Sequence, residues 1–422
     1  MSRLPLLLAA PLALLLSACT QVNVKGDPEA WARAMSADTT LRVATYNTSL
    51  YDDETGGLVR RLESGDGGAR KIAAVLQRVR PDLVLLNEFD FYEQGRAADL
   101  FQQHYLEIAQ PGGGDPLRYP YRYLAPVNTG VPSGLDLDRN GTAGASTALA
   151  GESEASRRNR GNDAWGYGLH PGQYGMLVLS KYPIDAGQVR TFQKLKWSAM
   201  PGARMPVDPK TNAPWYPADI WSQLRLSSKS HWDVPVRTPS GVVHFLVSHP
   251  TPPVFDGPED RNGARNADEI RLWSEYLSGD SKPWLCDDRG RCGGLASNAR
   301  FVIAGDLNND PVDGDGRHDA IVELLEHPRV LRYATPRSAG AAEKTAQYAA
   351  AGIVHRGAPE HATGDFGPKA GTMRLDYVLP SVGFALKDSG VFWPSSTSPD
   401  AAIADGSDHH LVWVDLDAAV SK

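Results

Sequence analysis

The stretch FVIAGDLNND, residues 301–310, decides how the rest of the chain is read. Five residues that suit a short buried strand lead directly into Asp306 and Asn308. In an extended segment, residues two apart point to one side, so a carboxylate and an amide would face the same small ligand. One acid after a strand is ordinary turn chemistry. Here the arrangement recurs. LRVATYN (41–47) ends on Asn47, and DLVLLNE (82–88) ends on Glu88. VVHFLVSH (242–249) ends on His249. MRLDYVL (373–379) carries Asp376 within its strand, and Asp408 and His409 stand before HLVWVDL (410–416), whose first residue is His410.

Between these strands lie helical stripes. Ile72, Val75, Leu76 and Val79 share a face in 69–80, which Pro81 stops. Further helices are expected over 94–109, 260–277 and 318–326. The alternation points to one α/β domain over 41–422 with a decorated surface. Residues 110–172, rich in Gly, Asn, Asp and Arg, read as a long insertion, and 196–235 as a Trp- and Pro-rich excursion. Residues 20–40 read as a tether with a short helix.

In this order the motifs resemble the endonuclease/exonuclease/phosphatase superfamily. PDLVLLNE is similar to its PD-hydrophobic-QE motif, with Asn87 where the family usually has Gln. GDLN is similar to its GDFN motif, RLDYVL to its R-I-D-Y-I strand, and SDH to its closing motif. The resemblance runs from Asn47 to His410. It implies a DNase I-like, four-layer α-β-β-α sandwich with the site at one edge of the two sheets. It implies hydrolysis of a phosphate ester, either a phosphodiester or a phosphomonoester, assisted by a divalent cation. Glu88 is the expected principal ligand, with Asn47 and Asp408 beside it. Mg²⁺ suits such oxygen donors and keeps several waters, with Mn²⁺ as a substitute. Asp306 is expected as general base or water-aligning group, and Asn308 as donor to a phosphoryl oxygen. His249 and His409 are expected to flank the phosphate, and Asp376 to orient His409. His410 would point the other way along the strand.

Other features are less specific. Lys229 and His231, in SSKSHWDVP (227–235), suit a phosphate at a site mouth, or simply an exposed hairpin. Arg157, Arg158 and Arg160 form the one small basic cluster. DLDRNG (136–141) opens like a calcium loop, giving a possible structural Ca²⁺ site, but Thr147 stands where such a loop wants Glu. Otherwise it is a polar turn.

The first 19 residues read as a lipoprotein signal peptide: an apolar run, LPLLLAAPLALLL, ending in LSAC, with Cys19 as the residue to be lipidated. A bacterial envelope protein held to the outer membrane is the expectation. In an oxidising compartment Cys286 and Cys292, in CDDRGRC, suit a small disulfide loop. The net charge of −7 and the absence of a Lys/Arg-rich block leave no strong nucleic-acid footprint. A secreted nuclease, or a noncatalytic phosphate-binding lipoprotein of the same fold, are the competing readings. No protein partner is readable.

Overall fold

The structure, a computed structural model, describes residues 40–148, 151–279 and 281–417. The expected signal peptide, Cys19 and nearly all of the tether therefore lie outside the described residues. The strands are β1 (Thr40–Leu50), β2 (Leu83–Phe89), β3 (Tyr121–Tyr123), β4 (Met176–Ser180), β5 (Arg190–Thr191), β6 (His231–Thr238) and β7 (Gly241–Ser248). They continue as β8 (Arg300–Asp306), β9 (Gly364–Asp365), β10 (Thr372–Met373), β11 (Asp376–Pro380), β12 (Ala385–Val391) and β13 (Val412–Asp417). One sheet runs β12-β13-β1-β2-β4-β3, the other β11-β8-β7-β6-β5, and β9 and β10 form a short ribbon.

Each sheet has an inner and an outer face because strand side chains alternate. Leu41 and Val43 of β1, and Leu83 and Leu85 of β2, meet Phe245 and Val247 of β7 and Val302 and Ala304 of β8 in the inter-sheet core. The intervening residues face outward. Ala44, Val84 and Leu86 pack under helix Gly67–Val79, which presents Ile72, Val75, Leu76 and Val79. Asp66 caps that helix by accepting from the Ala69 amide, and Arg80 ends it in a left-handed conformation just before Pro81. On the far side Leu246, Phe301 and Ile303 pack under helix Arg261–Leu277 through Ala264, Ala267, Ile270 and Trp273. Helices therefore cover both outer faces, giving the four-layer sandwich.

Several expectations are corrected. Residues 110–172 are not wholly an insertion, because Tyr121–Tyr123 pairs with β4 and forms the sheet edge. The excursion over 196–235 ends inside the second sheet, where β6 pairs along the whole of β7. The 94–109 helix is a six-residue α-helix, Arg96–Phe101, followed by a π-turn, Gln102–Leu106. MRLDYVL is split between β10 and β11. Helices Gly57–Ser64 and Ala339–Ala350 and strand β12 had no sequence expectation.

Candidate active site

The inter-sheet core turns polar at one end. Following β1 inward, Leu41 and Val43 give way to Thr45 and Asn47; on β2, Leu85 gives way to Asn87. Val247 of β7 is followed at the next inward position by His249, and Ala304 of β8 by Asp306. Asp376 sits in register with Asp306 at the start of β11. Buried polar groups need partners, and here they find one another. Asn87 Oδ1 accepts from the Asp306 amide at 3.1 Å, and its Nδ2 donates to Ser248 O at 3.4 Å, so this one side chain bridges the sheets. Asn47 Nδ2 donates to Asp306 Oδ2 at 3.0 Å. The same oxygen lies 3.4 Å from His249 Nε2 and 3.6 Å from His409 Nε2. His409 Nδ1 in turn bonds Asp376 Oδ2 at 2.8 Å, an oxygen that also accepts from Thr363 Oγ1 at 2.7 Å.

Asp306 and Asn308 meet by a turn rather than by extended alternation. Asn308 adopts a left-handed conformation (φ 51°), and its amide donates back to Asp306 Oδ1 at 2.9 Å. Its Nδ2 donates to Pro250 O at 3.1 Å, which leaves one amide N–H without a partner among the described residues. Glu88 and Ser49 also have positive φ, 54° and 49°, and strained residues of this kind gather at functional sites. Ser49 joins two parts of the site: its amide donates to Asn47 Oδ1 at 3.3 Å, and its hydroxyl to Asp408 Oδ1 at 3.3 Å.

Charges are arranged unequally. Burial opposes ionisation of Asp306, but the His409 charge and the hydrogen bond from His249 outweigh it and hold the carboxyl well below its ordinary range. Burial also disfavours a charged His409, yet Asp376 and Asp306 hold that imidazole well above its usual value. His249 is pushed down to about 4, by burial and then by the Lys229 charge. One imidazole is thus charged and the other neutral at pH 7. Burial pushes Glu88 up to about 7, against the pull of His409 and a hydrogen bond from Asn47.

The sequence profile of the Endonuclease/Exonuclease/phosphatase family matches residues 44–409. The chain belongs to this family. No curated protein sequence matches it. Among solved structures it is similar to an endonuclease/exonuclease/phosphatase from Beutenbergia cavernae, at 17% identity over 90% of this chain and 71% of that chain (TM-score 0.45). It is also similar to sphingomyelinase C from Streptomyces griseocarneus, at 18% identity over 89% and 99% (TM-score 0.42). Beta toxin from Staphylococcus aureus shares 14% identity over 89% and 99% (TM-score 0.43).

Members of the endonuclease/exonuclease/phosphatase family hydrolyse phosphate esters, typically with a divalent metal. The residues present here fit such a cation. The negative charges of Asp306 and Asp408 each raise the cost of ionising Glu88, a crowding that a cation would relieve. Glu88 is partly exposed and Asp408 exposed, so both reach solvent where an ion would enter. The donors are oxygens, as Mg²⁺ prefers. A second close set, Asp306, Asp376 and His409, is already spent on internal hydrogen bonds.

The remaining expectations divide. Lys229 is buried, and the charges of Glu88 and Asp306 act on it, so the structure brings it to the site. His231 is not brought there. Its Nδ1 bonds Ser227 Oγ at 2.6 Å, its Nε2 bonds Glu269 O at 2.8 Å, and its ring packs on Trp273. Neither nitrogen is left for a substrate, and burial pushes its pKa down to about 4. The substrate role expected for His231 is therefore corrected: it anchors β6 under helix Arg261–Leu277. His410 stacks on Trp393, with ring centroids 3.8 Å apart. Arg157, Arg158 and Arg160 pair with Glu54, Glu154 and Glu152. Cys286 and Cys292 are joined by a disulfide. In the DLDRNG loop, Asp136 and Asp138 gain a third acid, the buried Asp163.

Sequence reasoning missed Asn87 as a bridge, Thr363 behind Asp376, and Phe366, whose ring lies edge-on to His409 at 5.2 Å. Asn87 had a signal, since it continues the inward period of Leu83 and Leu85. Thr363 and Phe366 come from an irregular segment and had none.

Proposed function

We propose that this protein is a Mg²⁺-dependent phosphoesterase of the bacterial envelope, tethered to a membrane by a lipid on Cys19. The observation that carries the reading is the Asp306 carboxylate, one oxygen of which lies 3.4 Å from His249 Nε2 and 3.6 Å from His409 Nε2.

The reaction needs a water aligned in line with the leaving oxygen, and donors where negative charge grows. Asp306 orients that water. Its depressed pKa makes it a weak base before reaction, so it takes up proton density only as the water oxygen bonds to phosphorus. His409, held protonated by Asp376, donates from Nε2 to a phosphoryl oxygen. His249 turns Nε2 toward Asp306 at 3.4 Å and helps hold that carboxylate in place, while its Nδ1 has no hydrogen-bond partner among the described residues. Asn308 contributes its free amide N–H, and Lys229 adds positive charge within the buried wall. Mg²⁺ bound by Glu88, with Asn47 and Asp408 beside it, would offset charge on the phosphoryl and leaving oxygens. Mn²⁺ would serve in its place.

The test is hydrolysis of a chromogenic phosphodiester, a monoester and plasmid DNA, each with Mg²⁺, with chelator, and by Asp306→Asn. The reading expects cation-dependent turnover that Asp306→Asn reduces by at least about 10³-fold. A folded Asp306→Asn protein with undiminished turnover would remove Asp306 from the mechanism.

A further inference from the structure

A cavity of about 250 Å³ lies between the 310–313 segment, the 355–362 segment and β10. None of Asn47, Glu88, His249, Asp306 and His409 lines it, so it is distinct from the candidate active site. It is smaller than the ~300–1,000 Å³ usual for drug-sized ligands. Two donors in its wall lack an acceptor among the described residues. Arg374 is half-buried and its guanidinium stacks on the Tyr377 ring at 4.6 Å, yet its side chain makes no hydrogen bond or ion pair with any described residue. His355 accepts the Thr372 amide on Nε2 at 3.0 Å, which puts the proton of the neutral ring on Nδ1. That Nδ1 is buried and has no partner among the described residues.

The wall is shaped to hold these donors. Gly371, at φ 74°, lets the His355 ring come close: a Cβ there would stand 2.3 Å from Nε2. The two acids of the wall are already engaged. Asp310 accepts from the amides of Val312 at 2.9 Å, Asp313 at 3.0 Å and Arg374 at 2.8 Å. Asp313 accepts from the amides of Arg356 and Gly357 and pairs with the Arg356 side chain at 3.3 Å. These bonds tie the segments together, and Arg356 neutralises one of the acids. A cation entering here would meet the Arg374 charge and two carboxylates already occupied by amides.

Unpaired guanidinium and imidazole N–H groups in one small cavity suit an oxyanion, whose charge strengthens each bond it accepts. We propose that this cavity binds a free tetrahedral oxyanion of the size of inorganic phosphate, with the Arg374 guanidinium and the His355 Nδ1–H as its donors. A phosphate group on a larger molecule would offer the same oxygens, but the small volume favours the free ion. The assignment goes beyond the phosphoesterase reading, which uses neither residue.

The experiment is calorimetric titration of the full chain, in detergent with chelator, using inorganic phosphate and phenyl phosphate. Chelator removes the cation on which phosphate binding at Asp306 is expected to depend, whereas the cavity needs none. Phosphate is expected to bind, and more tightly than phenyl phosphate. Arg374→Met keeps an apolar stem on Tyr377, and His355→Gln keeps an acceptor for the Thr372 amide. Each is expected to weaken phosphate binding at least about tenfold, with near-UV circular dichroism as the check on folding. No binding by the wild type, or undiminished binding in either folded variant, would overturn the proposal. Tighter binding of phenyl phosphate would overturn the free ion as its occupant. Turnover of bis(p-nitrophenyl) phosphate with Mg²⁺ is measured on the same samples and is expected to be unchanged in both variants. Weakened phosphate binding in the variants, with no turnover even by the wild type, would count against the phosphoesterase reading and leave the oxyanion site standing.

Discussion

Asp376→Asn is the most informative change at the site. Asp376 is buried, and its Oδ2 accepts from both His409 Nδ1 and Thr363 Oγ1, while its Oδ1 has no partner among the described residues. An asparagine would keep its oxygen at the Oδ2 position and place its NH₂ where Oδ1 now stands. That buried donor would be unsatisfied, costing about 1–3 kcal/mol of stability. The bond to His409 would survive but lose its charge assistance, from about 1.5–3 kcal/mol to about 1. The difference weakens the hold on the imidazolium by about 0.5–2 kcal/mol, centred near tenfold in its protonation equilibrium. The sign is set by His409 being raised in the folded protein: its protonated form is complete at low pH and is lost as pH rises through the folded value. The variant lowers that value. Its defect should therefore be small near pH 6 and grow with pH, moving the basic limb of the kcat/KM profile acidward by about one pH unit. The assay is that profile for wild type and variant with one chromogenic ester at saturating Mg²⁺, with near-UV circular dichroism as the check on folding. A defect of constant size across the profile would mean general damage, and a defect growing toward acid would refute the assigned role of Asp376.

His231→Ala should lower stability by about 2–4 kcal/mol in a denaturant melt, through a lost core ring and orphaned Ser227 and Glu269 partners, yet leave KM unchanged in the folded enzyme. A raised KM with intact stability would restore its role in substrate binding. Glu88, at about 7, binds a proton in competition with the cation, so the Mg²⁺ concentration for half-maximal activity should rise roughly tenfold per pH unit below 7. A requirement constant between pH 5.5 and 7 would show that Glu88 does not hold the ion. Replacement of Cys19 by Ser should move the protein from the membrane to the soluble fraction of a cell lysate; retention in the membrane would exclude the lipid anchor.

The candidate site residues were legible because they sit at the ends of strands whose apolar runs were themselves legible. FVIAG and DLVLL announce buried strands, and the direction of the chain then places Asp306 and Glu88 just past their ends. His231 shows how the same logic was underused. Trp232, Val234 and Val236 of β6 face the inter-sheet core, so His231 and Asp233 must face outward, beneath a covering helix. The hydrophilic look of SSKSH concealed a period-two pattern that already excluded a mouth position. Thr363 and Phe366 are another matter. Their partners, Asp376 and His409, stand at or just before the starts of β11 and β13 in the two facing sheets, but Thr363 and Phe366 come from the short segment around β9, which no extended periodicity constrains.

The topology explains why these residues converge at one edge. β1 and β2 are parallel, as are β7 and β8, so four strands deliver their C-terminal ends together: Asn47, Glu88, His249 and Asp306. Each pair is flanked by an antiparallel strand, β13 beside β1 and β11 beside β8. Antiparallel neighbours present their N-terminal ends at that same edge, which brings His409 and Asp376. Six polar residues between two apolar sheets would be costly if left unpaired. The network of Asn47, Asn87, Asp306, Asp376 and His409 removes most of that cost but not all of it, since His249 Nδ1 and Asp376 Oδ1 keep no partner among the described residues. A core optimised for stability alone would continue the run of Val and Leu to the edge. The polar edge instead leaves hydrogen-bonding capacity unused at His249, Asn308 and Glu88, around a point that one phosphoryl group and one divalent cation would fill.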